Sequence, residues 1–234
     1  MHSKSYRFLT PLIMVLTWAN MEAQTSHPVP RLVVNVTIDQ LRTDYMEAFS
    51  SLFGAGGFNK VMRDGRSYMD AAYPFSHIDR ASAVACIMTG TVPYDNGIVG
   101  EHWMDRKTLR PMYCVDDATC EGWLTSEKYS PVALNVSTVT DELKMATGGR
   151  ALVYSIAPDA DAAILAAGHA ADGAFWIDNA SGQWSSTSYY GLYPDWALRY
   201  DVSDRLSGRI SDLSWTPISP IAVSYTHLTL PTIA

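Results

Sequence analysis

Two separated stretches of this chain carry side chains able to do chemistry. Asp39 follows an apolar, β-branched run, Arg31-Leu32-Val33-Val34-Asn35-Val36-Thr37-Ile38. A carboxylate at the C-terminal end of such a strand is a sound hard ligand for zinc, and in open α/β sheets that edge is where ligands bind. The same residue would serve as N-cap of the helix that follows. The second stretch is Ser76-His77-Ile78-Asp79-Arg80-Ala81-Ser82-Ala83-Val84-Ala85-Cys86-Ile87-Met88-Thr89-Gly90. Asp79 caps a predicted helix running to about Met88, with Gly90 as its stop. Arg80 then stands at a helix N-terminus, where the macrodipole disfavours a cation. Its guanidinium stays protonated and has no lone pair for attack on an electrophile. Ser82 is the one nearby hydroxyl, and two helical positions carry it about 200° around the axis, away from whatever Arg80 faces. His77, His102 and His169 are scattered, with no i, i+4 metal-ligand spacing among them.

The elements that must position these residues alternate in type. The run 31–38 reads as a buried, parallel-type strand. Thr43 to Phe53 carries a helical pattern with Tyr45, Ala48, Phe49 and Leu52 on one side, and Gly57 to Gly65 is a short helix closed by glycine. Ser67 to Pro74 is extended. Glu101 to Gly122, polar and aromatic, reads as a surface excursion. Thr138 to Ala146 is a helix, Ala151 to Ala157 a buried strand, Ala162 to Ala170 a helical stretch and Ala174 to Asp178 another strand. A turn at Asn179-Ala180-Ser181-Gly182 lets Gln183 to Thr187 pair back as a hairpin. Strands alternating with helices predict an α/β fold: a mainly parallel, doubly wound sheet with helices on both faces.

Composition narrows the classes. The chain has 234 residues, 47% hydrophobic and 18% charged, enough for one sizeable globular core. A net charge of -7 argues against nucleic acid or an anionic membrane surface as partner. His2, Lys4 and Arg7 precede an apolar stretch, Phe8 to Trp18, too short to span a bilayer, and small residues follow at Ala19 and Ala23. Residues 1–23 are therefore expected to be a signal peptide cut after Ala23, and the protein to be periplasmic or secreted. The competing reading is a buried first strand or helix. Of three cysteines, Cys86 reads as a core thiol, while Cys114 and Cys120 would be placed to bridge a short loop in an oxidising compartment. Residues 223–234 continue no earlier pattern and resemble a translated sequencing adapter. The expected domain is thus 24–222, with its C-terminal part missing from this sequence.

Arg80 to Gly90, continued by Thr91-Val92-Pro93-Tyr94-Asp95-Asn96-Gly97-Ile98-Val99-Gly100, resembles the nucleophile loop and helix of the alkaline phosphatase superfamily. The likeness is to its type I phosphodiesterase/nucleotide pyrophosphatase branch and to the zinc alkaline phosphomonoesterases. It covers roughly residues 31–200 and takes in Ile38-Asp39-Gln40-Leu41-Arg42, Tyr113-Cys114-Val115-Asp116-Asp117, Thr138 to Leu143, and Ile164 to His169 with the aromatic hairpin after it. The resemblance implies two zinc ions about 4 Å apart, one activating a Thr or Ser nucleophile and one the leaving oxygen. It assigns Asp39 to the metal site.

At the phosphate the sequence departs from that pattern. The nucleophile stands ten residues before the glycine of the Thr-Gly pair, which is Arg80 here. An asparagine contacting a phosphoryl oxygen becomes Glu101, and a Lys-x-Arg pair gripping the same group becomes Asp159 and Asp161. Carboxylates there would repel a phosphate dianion; taken alone, Asp159 and Asp161 read as a solvated loop. Something anionic should compensate Arg80: Asp39 is one candidate, and Asp159, Asp161 and Glu101 are others. A solvated arginine is the competing reading. The downstream Asp-x-x-x-His, Asp-His and His ligands of the family have no counterpart set in this sequence. The expectation is a catalytically impaired or inactive copy of a phosphate-ester hydrolase, with a small anionic ester or glycan as a possible ligand. An active metal-dependent hydrolase of altered chemistry and an envelope binding protein are the alternatives. The aromatic set Trp176, Trp184, Tyr189, Tyr190, Tyr193 and Trp196 would suit stacking on a sugar, or simply pack the hairpin.

Overall fold

A computed structural model describes residues 31–202, 212–214 and 216. The expected signal peptide and the adapter-like tail lie outside the described residues. The chain divides into two compact units, Met1–Leu41 and Arg42–Ala234.

In the first unit the described residues run extended to a turn at Asp39 and Gln40, with Gln40 in the left-handed region at φ 58. The predicted buried strand over 31–38 does not form. Leu32, Val33, Val34, Val36 and Ile38 are exposed, and no strand among the described residues pairs with them. β-branched composition makes a chain ready for a sheet, but a strand exists only through the ladder a neighbour supplies.

The second unit begins with α1 (Thr43–Ala48), shorter than its pattern because the chain tightens into a 3₁₀ turn at Ser50–Leu52. Next come α2 (Gly57–Asp64), α3 (Arg80–Thr89) and the single turn α4 (Pro93–Asn96). Gly90 closes α3 at φ 69, a left-handed cap that glycine adopts without steric cost. β1 (His102–Met104) and β2 (Pro111–Tyr113) form an antiparallel hairpin. β3 (Gly122–Trp123), α5 (Val139–Ala146), β4 (Tyr154–Ile156), α6 (Ala160–Ala167), β5 (Gly173–Ile177), β6 (Trp184–Thr187), a 3₁₀ turn at Ser188–Tyr190 and α7 (Asp195–Val202) follow.

The main described sheet has order β3-β6-β5-β4. β4 and β5 are parallel, joined through α6, and β6 folds back antiparallel on β5, as the hairpin pattern predicts. The sheet is therefore mixed, in an α/β arrangement. α6 packs on β4 and β5, and α3 packs on α6. Alanines make this close approach possible: Ala81 and Ala85 of α3 and Ala163 and Ala167 of α6 are fully buried beside Ile98, Ile164, Leu165 and Trp176. The stretch expected as a surface excursion contributes to that core, since Cys114 and Val115 are fully buried in it. Cys114 and Cys120 are both free thiols, so the loop bridge is absent. Cys120 instead hydrogen-bonds Asp117 at 3.4 Å.

Candidate functional site

Asp79 builds the local frame. Its carboxylate accepts the backbone N–H of Ser82 at 2.9 Å, and the Asp79 backbone N–H donates to the Ser82 hydroxyl at 3.0 Å, completing a capping box at the start of α3. The other Asp79 oxygen accepts the N–H of Glu101 at 2.6 Å. Gly100 permits this approach, because a Cβ there would lie 2.9 Å from that oxygen. Burial pushes the Asp79 carboxyl upward, but the N–H groups of Ser82 and Glu101 outweigh it and hold the group below the usual carboxylate range. One carboxylate thus fixes Arg80, which follows it, and Glu101, which it binds. Ser82 is consumed by the cap and fully buried, so its hydroxyl is no substitute nucleophile.

Arg80 is the centre of the site. Its Nε donates to both oxygens of Asp161, at 3.0 and 3.2 Å. Nη1 meets Asp159 at 3.0 Å and Nη2 meets Glu101 at 3.5 Å. The Asp161 side chain is 0% exposed, against 24% for Arg80 and 39% for both Asp159 and Glu101. Burial works against the guanidinium's charge, but Asp161, then Asp159 and Glu101, outweigh it and keep Arg80 protonated well beyond its ordinary value. Asp159 and Asp161 are brought there by α6: Asp159 occupies its N-cap position and Asp161 its first turn. Four residues from three parts of the sequence therefore meet in one ion cluster, and Arg80 is not a solvated arginine.

A cavity of about 260 Å³ opens beside this cluster. Arg80, Glu101, Asp159 and Glu127 give it charge, and Tyr113, Tyr129 and Trp176 give it aromatic walls. The rings form a continuous series: His102 to Tyr113 at 4.8 Å between centroids, Tyr113 to Tyr129 at 5.2 Å, and Tyr129 to Trp176 at 6.0 Å. Burial, reinforced by the charge of Asp161, holds the Tyr113 hydroxyl far above the ordinary tyrosine range; burial and Glu127 do the same for Tyr129. Both remain neutral hydrogen-bonding groups. Glu127, Tyr129 and Tyr113 were not legible as site residues in the sequence, because each lies in a loop or short hairpin whose direction only the fold sets. Of the aromatic set singled out in the sequence, Trp176 lines this cavity, whereas Tyr193 and Trp196 pack edge-on against Phe175 elsewhere.

Asp39 belongs to the first unit and is exposed there. Because 31–38 is not a strand, Asp39 does not stand at a sheet edge. Among the described residues no group of three or more His, Cys, Asp and Glu side chains is arranged to hold a metal ion. Glu101, Asp159 and Asp161 already surround the Arg80 guanidinium, whose charge would repel a divalent cation. The described donor set therefore does not fit a zinc pair. His169 is structural: its Nδ1 lies 3.2 Å from Asp141 and its Nε2 3.0 Å from the carbonyl of Leu134. No helix among the described residues is long and apolar enough to cross a membrane.

Comparison with known proteins gives this geometry its context. The chain is 38% identical over 204 residues to alkaline phosphatase PhoV of Synechococcus elongatus, covering 86% of this chain and 37% of that protein. It is 30% identical over 220 residues to alkaline phosphatase PafA of Elizabethkingia meningoseptica, covering 92% and 40%. The crystal structure of wild-type PafA superposes with a TM-score of 0.73 at 29% identity, over 84% of this chain and 39% of that one. A PafA variant substituted at a threonine, an asparagine, a lysine and an arginine superposes equally well, at 31% identity over 86% and 40%. The chain thus spans about two fifths of the length of these relatives, and its α/β fold is theirs. A sequence model of the type I phosphodiesterase / nucleotide pyrophosphatase family matches residues 33–230, and the chain belongs to that family.

Proposed function

We propose that this chain is an exported member of the phosphate-ester hydrolase superfamily that has lost phosphate chemistry at the ancestral nucleophile position and retains a binding cavity there. One observation carries the reading: Arg80, which the family resemblance puts at the nucleophile position, is clamped by Glu101, Asp159 and Asp161. The threonine and asparagine of the substituted PafA variant are separated by the same interval as Arg80 and Glu101, and its lysine and arginine by the same interval as Asp159 and Asp161. That agreement supports placing all four residues at one ancestral phosphate site. The replacement is coherent in charge. A neutral nucleophile became a cation, and the neutral and cationic phosphate contacts became anions that satisfy it. A group that cannot attack, beside carboxylates that repel a phosphate dianion, does not turn over a phosphomonoester. Export rests on the basic, apolar, small-residue order of residues 1–23.

The test is hydrolysis of p-nitrophenyl phosphate by the full chain, with and without added zinc, beside Arg80→Ala and Asp39→Asn. The expected result is no turnover above the buffer rate in any sample. Zinc-dependent turnover abolished by either substitution would overturn the reading and establish an altered hydrolase.

A further inference from the structure

The tip of the β1–β2 hairpin differs in charge from the acidic chain that carries it. Its loop, Asp105-Arg106-Lys107-Thr108-Leu109-Arg110, holds three cations in six residues. All three are exposed, and none lies within ion-pair distance of a carboxylate among the described residues. By contrast Arg42, Arg63, Arg80, Lys128 and Lys144 each meet one. The single carboxylate of the loop is spent on the turn: Asp105 accepts the N–H groups of Lys107 and Thr108 at 2.6 and 2.9 Å. Its backbone closes the same turn, its N–H donating to the Arg110 carbonyl at 2.9 Å and its carbonyl accepting from the N–H of Leu109 at 2.8 Å.

Apolar side chains stand among these cations. Leu109 is 75% exposed at φ 53, in the left-handed region that a leucine enters only at a steric cost. Met104, at the end of β1, is 57% exposed. The closed turn thus keeps Leu109 in water beside Arg106, Lys107 and Arg110. Cations flanking exposed apolar groups are the chemistry of a peripheral lipid contact: the cations attract anionic headgroups while the apolar groups enter the boundary between headgroups and acyl chains. A soluble polyanion would reward the cations alone and leave Leu109 and Met104 in water. The net charge of -7 argues against attraction over the whole surface, but a contact confined to the tip escapes most of that repulsion, since charges more than about 10 Å away are screened at about 0.1 M salt.

We infer that the β1–β2 hairpin tip docks on an anionic lipid surface, with Arg106, Lys107 and Arg110 at the headgroups and Leu109 and Met104 entering the boundary beneath them. The contact is independent of the Arg80 site and of whether that site turns over phosphate esters. It is interfacial and reversible, because three cations and two apolar side chains attract far less than a buried span. Its electrostatic part makes it sensitive to salt.

Co-sedimentation of the full chain with vesicles of phosphatidylcholine, alone or mixed with phosphatidylglycerol, tests this. Residues 1–23 are themselves basic and apolar, so the reading is the difference between the parent and hairpin variants that share them. On vesicles containing phosphatidylglycerol, each of Arg106→Ala, Lys107→Ala and Arg110→Ala should weaken binding roughly fivefold, and the triple variant should lose the hairpin's share entirely. Leu109→Asn removes the apolar group and suits the left-handed backbone, and it should weaken binding roughly tenfold. The difference between parent and triple variant should vanish on phosphatidylcholine alone and in high salt. Equal binding by the parent and the triple variant would overturn the inference, as would binding unmoved by Leu109→Asn. Capture of the parent by heparin, with no hairpin-dependent binding to vesicles, would also overturn it and make the partner a soluble polyanion.

Discussion

The N-termini of α3 and α5 begin with the same device and end in different states. Both carry a capping box: Asp79 with Ser82 at α3, Thr138 with Asp141 at α5. At α5 every partner turns inward. Asp141 accepts from the N–H groups of Thr138, His169 and Ala170 at 2.9, 2.8 and 2.7 Å, and from the Thr138 hydroxyl at 2.9 Å. Thr140 and the Tyr190 hydroxyl each close on a carbonyl at the end of α6, those of Ala167 and Gly168, at 2.8 Å. At α3 the cap is equally well made, but the first helical residue is a cation, and the carboxylates gathered around it exceed it in charge and border a cavity. The first arrangement is a staple between α5 and the end of α6. The second is a site. What separates them is not the number of polar side chains but whether each charge and donor finds its partner inside the protein.

The largest expected effect breaks the second arrangement. Arg80→Ala leaves Asp161 buried without its cation, beside Asp159 and Glu101 of like charge, and should lower stability by about 3–5 kcal/mol in urea unfolding. A variant as stable as the parent, or more stable, would mean that the cluster contributes no cohesion.

Breaking the staple should come next. Asp141→Ala strands several buried N–H groups and should cost about 3 kcal/mol by the same measurement. Its cost should add to that of Arg80→Ala in the double variant; clear non-additivity would mean that the two N-termini are coupled and that the contrast between staple and site fails. The staple also sets the acid limit. Burial raises the Asp141 carboxyl, but the N–H groups of Thr138 and Ala170, the Thr138 hydroxyl and His169 outweigh it and lower it, as Asp79 is lowered. For a carboxyl depressed in the folded state, the stabilisation is fully present above the ordinary value of about 4 and is lost as pH falls through the depressed one. Melting temperature should therefore be flat above about pH 5 and fall below about pH 4, and Asp141→Asn should flatten that acid limb.

The smallest effect concerns the thiols. Cys114 and Cys120 are unbridged, so adding a reductant should leave the melting temperature unchanged. A clear drop would show that a bridge forms in the oxidised protein and helps hold the loop beside the site.

The degree to which all this was legible in the sequence differs by residue. Asp79 as helix cap, Gly90 as stop and the hairpin after Trp176 rest on interactions within a few residues, and they appear as the sequence predicts. The run 31–38 failed for the opposite reason: its β-branched pattern is local, but its ladder partner is not. Asp159 and Asp161 had an unremarkable reading as a solvated loop, and only the packing of α3 against α6 turns them toward Arg80. Glu127 and the unpartnered Trp176 indole had no sequence signal, because satisfaction of a polar group is a property of the assembled core.

The sequence by itself determined the family and the residue types at positions 80, 101, 159 and 161, since each is fixed by identity and spacing along the chain. Tertiary structure alone decided what those residues amount to. Closing α6 against α3 sets distances between residues about eighty positions apart, and electrostatic energy depends on those distances and on burial, neither of which is written in spacing. Through that closure a cation that the helix dipole disfavours becomes the clamped centre of an acidic, aromatic cavity.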